Sequence, residues 1–147
     1  VAHSQGTVLV ADYLRYLHHA GRTKERPTSL ALFTMGSPLR QLYAARFPHL
    51  YEWTEGEDGR GPDPERELGI ATWVNAFRSG DYVGRALFTA TSDSVPRPPD
   101  PPFERDTTER DPSTSRDVFV GLGAHTHYWD DTAPVVAREL DRLVRRA

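Results

Sequence analysis

The chain has 147 residues, 37% of them hydrophobic and 27% charged, with 12 Pro and 11 Gly, which suits one domain core with long loops. A net charge of −3 argues against nucleic-acid binding, and zero Cys excludes disulfides and thiolate chemistry within the chain while remaining compatible with a cytosolic location. No apolar run is long enough to span a membrane.

The first element is the end of a strand, Val1-Ala2, followed by a sharp turn at His3-Ser4. Ala2-His3-Ser4-Gln5-Gly6 reads as small-x-Ser-x-Gly, the pattern of a nucleophile elbow. In that motif the chain leaves a strand, turns and enters a helix, and small residues on either side let strand and helix approach. The usual first residue is Gly, and Ala2 is the next smallest. A single five-residue match is a weak signal, since an ordinary Ser in a helix-entry turn reads the same way. The helix expected after it runs from Gln5 through His18, apolar at its start and amphipathic around Tyr13, Leu14 and Leu17, with a stop near Gly21.

Three strand-like runs follow. Ser29 to Met35 is nearly continuous apolar and ends at Gly36-Ser37-Pro38. Ala71 to Phe77 is rich in β formers and ends at Ser79-Gly80-Asp81, and Asp117 to Leu122 ends at Gly123-Ala124-His125. Continuous apolar runs predict strands covered on both faces, hence a parallel sheet with helices outside. Between the runs, 52–67 is an acidic loop that could act as a lid, and 91–116 is a Pro-rich flexible loop. The last helix spans about Ala133 to Arg146, with Thr132 as cap and Pro134 in its first turn. Val136, Leu140, Leu143, Val144 and Ala147 form its apolar stripe; Arg138, Arg142, Arg145 and Arg146 form a solvated face.

Each strand-like run ends in a chemically useful residue: Ser4, Asp81 and His125. In open α/β sheets the carboxyl ends of strands carry function. The order Ser, Asp, His, with His3-Ser4-Gln5-Gly6-Thr7, Thr34-Met35-Gly36-Ser37-Pro38-Leu39, Trp73-Val74-Asn75-x-x-Arg78-x-x-Asp81-x-Val83-Gly84 and His125-x-x-Tyr128-Trp129, resembles the C-terminal half of an α/β-hydrolase of the lipase/esterase type. The resemblance implies an α/β fold with the N-terminal strands of the family, a second oxyanion donor and any targeting or membrane segment upstream of Val1. It also implies that residues 1–147 alone are neither active nor stable.

The roles it implies are Ser4 as nucleophile, His125 as general base and acid, Asp81 as the orienting carboxylate, and the Gln5 N–H as oxyanion donor. The reaction is cleavage of a carboxylic or lipid ester through an acyl-enzyme, with no cofactor; thioesterase and peptidase activity share the triad. The alternative is a non-catalytic fragment or binding module that keeps part of the fold. His127 is the alternative histidine, and His3 is expected to point away from the chemistry. Asp93, Asp100 and Asp106 lie in the polar loop and read as solvated. The run His125 to Asp131 could instead ligate a metal, but no second cluster with ligand spacing accompanies it, so no metal is expected. The expected partner is a small-molecule or lipid ester substrate, and protein partners are left open.

Overall fold

The computed structural model describes residues 1–22, 24, 30–56, 59–88 and 115–145. The Pro-rich loop at 91–116 therefore lies almost wholly outside the described residues, as do Asp93, Asp100, Asp106 and Ala147.

The architecture is α/β. Four strands, β1 (Ala2–His3), β2 (Ala31–Met35), β3 (Thr72–Phe77) and β4 (Arg116–Phe119), form one parallel sheet in the order β1-β2-β3-β4. Helix α1 (Gln5–His19) leads from β1, and short helices α2 (Pro48–Tyr51) and α3 (Pro64–Leu68) lie between β2 and β3. Helix α4 (Pro134–Val144) follows β4.

The continuous apolar strands follow from a sheet covered on both sides. Leu32 of β2 and Trp73 of β3 pack on one face with Val8, Ala11 and Leu14 of α1 and Leu68 of α3. Phe33, Met35, Val74, Ala76 and Val118 pack on the other with Val135 and Val136 of α4 and with Tyr128. Alternate strand residues feed the two clusters, as the period of two requires. Each fully buried large side chain contributes about 1.5–3 kcal/mol. Among the described residues, no helix is long and apolar enough to cross a membrane.

Several elements differ from the sequence reading. The last strand stops at Phe119 rather than Leu122, because Gly121 (φ 95°) and Gly123 (φ 147°) take conformations that turn the chain out of the sheet. The acidic stretch 52–67 holds a 3₁₀ turn (Glu52–Thr54) and α3. Asp63 caps α3 by accepting from the Glu65 and Arg66 N–H groups, Pro64 suits its first turn, and Gly69 (φ 61°) ends it. Trp53, Thr54 and Glu67 are buried, and Arg15 of α1 holds Glu67 at 3.2 Å. Thr132 does not cap α4; Ala133 holds that position. The Thr132 hydroxyl instead donates to Asp130 and accepts from Arg78 at 3.0 Å. On α4, Val144 is exposed, while Glu139 is fully buried on the inner face and paired with Arg116 of β4 at 2.5 Å. Arg142 closes on the same carboxylate at 2.6 Å, so it is not simply solvated.

A polar network fixes the chain beyond the Asp81 turn. Trp73 Nε1–H donates to Thr34 Oγ1, which donates to Asn75 Oδ1. Asn75 Nδ2 donates to the Asp117 carboxylate and to the Arg85 carbonyl. Asp117 also accepts the Leu87 and Phe88 N–H groups at 2.9 and 2.7 Å.

Burial pushes the Asp117 carboxyl up to about 7, opposed by the bonds from Asn75, Leu87 and Phe88 and by the Arg40 charge. A carboxyl whose folded value lies above its unfolded one stabilises the fold fully below the unfolded value, and that contribution is lost as pH rises through about 7. Thermal unfolding from pH 4 to 8 should therefore show a downward contribution to stability with rising pH that Asp117→Asn abolishes. Equal pH slopes in the two proteins would refute this.

Candidate active site

The strands end level with one another. His3 aligns with Met35, Met35 with Ala76, and Ala76 with Val118. The ladder continues one step past them, with Ser4 N–H donating to Met35 O at 3.0 Å and Gly36 N–H to Ala76 O at 3.0 Å. Ser4, Gly36, the Asp81 turn and the His125 loop are thereby delivered to the same carboxyl edge.

Ser4 joins β1 to α1 with φ 53° and ψ −133°, and among the described residues it is the one non-glycine with positive φ. Holding a non-glycine there costs about 1–3 kcal/mol. A serine at a helix N-cap ordinarily turns its hydroxyl onto the first helical N–H groups. Ser4 makes no such bond. Its Oγ lies 2.7 Å from His125 Nε2, and His125 Nδ1 lies 2.9 Å from Asp81 Oδ2. The structure thus brings together Ser4, His125 and Asp81.

Asp81 is fully buried. Its Oδ1 accepts the Val83 and Gly84 N–H groups at 2.8 and 2.9 Å, and its Oδ2 accepts from His125 and from the Tyr128 hydroxyl at 2.9 Å. Burial raises the Asp81 carboxyl, but the bonds from Gly84, His125, Tyr128 and Val83 together outweigh it and hold it below its ordinary value. An ionised carboxylate only accepts, so His125 carries its proton on Nδ1. Nε2 of the neutral ring is then free to accept the Ser4 proton.

His127 is exposed and lies 3.7 Å from Asp130, and the histidine bonded to Ser4 is His125. Gln5 is the first residue of α1 and exposed; its N–H, in the first turn, has no intrahelical acceptor. Among the described residues, no group of three or more His, Asp or Glu side chains is arranged to hold a metal ion.

His3 does not point away. Its ring stacks on the His125 ring with centroids 5.0 Å apart, and its Nε2–H donates to the His125 carbonyl at 3.0 Å. The His125 loop is further pinned by Arg78, whose buried guanidinium donates to the carbonyls of Leu122 and His127. Arg78 stands in the motif that leads to Asp81 and His3 in the motif around Ser4, but nothing in the sequence showed that either would hold the His125 loop.

Two glycines set the space around the acid–histidine pair. At Gly36 (φ 56°) a Cβ would lie 3.0 Å from both Asp81 Oδ2 and His125 Nδ1. At Gly84 a Cβ would fall 2.2 Å from the Gly36 backbone. Gly84→Ala should therefore displace the Gly36 backbone beside Asp81 and His125 and lower stability by about 1–3 kcal/mol. Unchanged thermal unfolding would contradict that packing.

No protein-family model, curated protein or solved structure matches this chain. The functional reading accordingly rests on the geometry of the site.

Proposed function

We propose that the chain carries the catalytic centre of a serine hydrolase of the α/β-hydrolase type, cleaving a carboxylic or lipid ester through an acyl-enzyme. The observation that carries this reading is the Ser4 hydroxyl, strained at a strand-to-helix turn, left uncapped and bonded to a histidine that is itself bonded to a buried carboxylate.

In the first half-reaction Ser4 Oγ attacks the ester carbonyl carbon while His125 Nε2 takes the hydroxyl proton. The Asp81 carboxylate stabilises the resulting imidazolium and holds its orientation. The oxyanion of the tetrahedral intermediate accepts the Gln5 N–H at the start of α1, where the helix dipole also favours negative charge. Collapse breaks the bond to the alcohol oxygen, which leaves with the proton from His125, and Ser4 remains acylated. In the second half, water gives a proton to His125 and its oxygen to the acyl carbon; the acid departs and the proton returns to Ser4. Exposed Tyr82 and Leu122 stand on the turns that carry Asp81 and His125, and exposed Trp129 follows Tyr128. They support an ester with an apolar acyl or alcohol part.

The test is rapid mixing with a p-nitrophenyl ester of a short acyl chain. A burst of nitrophenolate stoichiometric with protein, followed by slower turnover, supports an acyl-enzyme. Absence of both burst and turnover across short and medium acyl chains, in a folded sample of the full-length protein, would remove the reading.

A further inference from the structure

Tyr128 has no role in the steps above, yet it is fully buried and touches the acid of the site. Its hydroxyl has one proton and two neighbours. The Arg78 backbone N–H lies 3.0 Å away and can only donate, so the hydroxyl oxygen accepts it. The hydroxyl proton is thereby committed to the other neighbour, Asp81 Oδ2, at 2.9 Å. Burial and the neighbouring Asp81 carboxylate both raise the Tyr128 hydroxyl, so it stays protonated and remains a donor.

The ring is held as firmly as the hydroxyl. It packs in the core with Phe33, Met35 and Val118. The Arg78 guanidinium stands 5.7 Å from its centroid, and the His3 ring stands 5.6 Å away. Asp81 Oδ2 is consequently shared by two donors, His125 Nδ1–H and Tyr128 O–H, while Oδ1 is fixed by two backbone N–H groups. Neither carboxylate oxygen can swing without breaking bonds.

We propose that Tyr128 is a positioning residue of this centre: its hydroxyl, oriented by the Arg78 backbone N–H, locks the Asp81 carboxylate and limits how much of its charge reaches His125. This rests on the serine-hydrolase reading for its effect on rate, but not for its effect on the His125–Asp81 bond. The groups that face His125 are Ser4, Asp81, His3 and, behind the acid, Tyr128 with Arg78.

The experiment compares wild type, Tyr128→Phe and Thr132→Val. Thr132→Val loosens the same Arg78 cluster without touching Asp81. The first readout is the downfield proton resonance of His125 Nδ1–H, which requires no turnover. In Tyr128→Phe, Oδ2 has one donor instead of two, so that resonance should move further downfield, while Thr132→Val leaves it in place. The second is the rate profile on the ester substrate. Tyr128→Phe should lower kcat by about 10-fold, up to about 10²-fold for a misplacement near 1 Å, with little change in KM, and shift the acid limb of kcat/KM to higher pH. An unchanged resonance in Tyr128→Phe, or equal shifts in both variants, would overturn the proposal. A shifted resonance in a protein whose Ser4 neither acylates nor turns over would uphold it and sink the hydrolase reading instead.

Discussion

Ser4→Ala is expected to abolish turnover down to the level set by binding and oxyanion contacts alone. In the proposed mechanism the nucleophile and its base act as one unit, so losses from removing either are not additive. Ser4→Ala and His125→Ala should each lower kcat by about 10⁶-fold, and the double variant should be little worse than either. The fold should survive Ser4→Ala, because the Ser4 side chain makes no capping bond that its loss would break. The backbone strain stays, since Ala has the same objection to φ 53° that Ser has. Matching unfolding curves with opposite activities would locate the effect in the chemistry. Wild-type turnover in Ser4→Ala would remove Ser4 from the reaction.

Asp81→Asn should have the second-largest effect, about 10⁴-fold in kcat. The carboxylate accepts from four groups, and an amide replaces one acceptor oxygen by a donor. If the amide nitrogen faces Val83 and Gly84, donors oppose donors. If it faces His125, the ring must flip its tautomer, and Nε2 then carries a proton and cannot take one from Ser4. Either arrangement costs more than a lost surface charge, because Asp81 is fully buried. Stability should fall as well, by about 1–3 kcal/mol for buried donors left unmatched. A kcat within about tenfold of wild type would show that Asp81 does not orient His125.

The convergence of Ser4, Asp81 and His125 at the candidate site was legible from the sequence because each stands at the end of a hydrophobic run. Ser4, Asp81 and His125 each follow a strand-like segment, and parallel strands in register deliver such residues to one edge. What could not be read depends on contacts between distant segments. The Tyr128 hydroxyl meets Asp81 across 47 positions, and the Arg78 guanidinium meets the His127 carbonyl across 49. His3 follows Ala2 in β1, and adjacency to Ser4 gave no reason to place its ring on His125. The loop that returns from β4 brings the two together. Helix α3 was different: its signals, Asp63 before the helix, Pro64 at its start and Gly69 after it, stand in the sequence. The density of charge and Gly/Pro around them favoured a loop. Glu139 falls on an apolar stripe, three residues after Val136, and its burial depends on Arg116 across the sheet face.

The most direct measurement is labelling with a fluorophosphonate probe followed by peptide mapping of the adduct. A strained, uncapped serine bonded to a histidine should be phosphonylated on Oγ with one equivalent of probe. A single adduct is expected on the peptide containing Ser4, lost in Ser4→Ala and strongly slowed in His125→Ala and Asp81→Asn. A folded protein that takes up no probe, or takes it up at a residue other than Ser4, would contradict it.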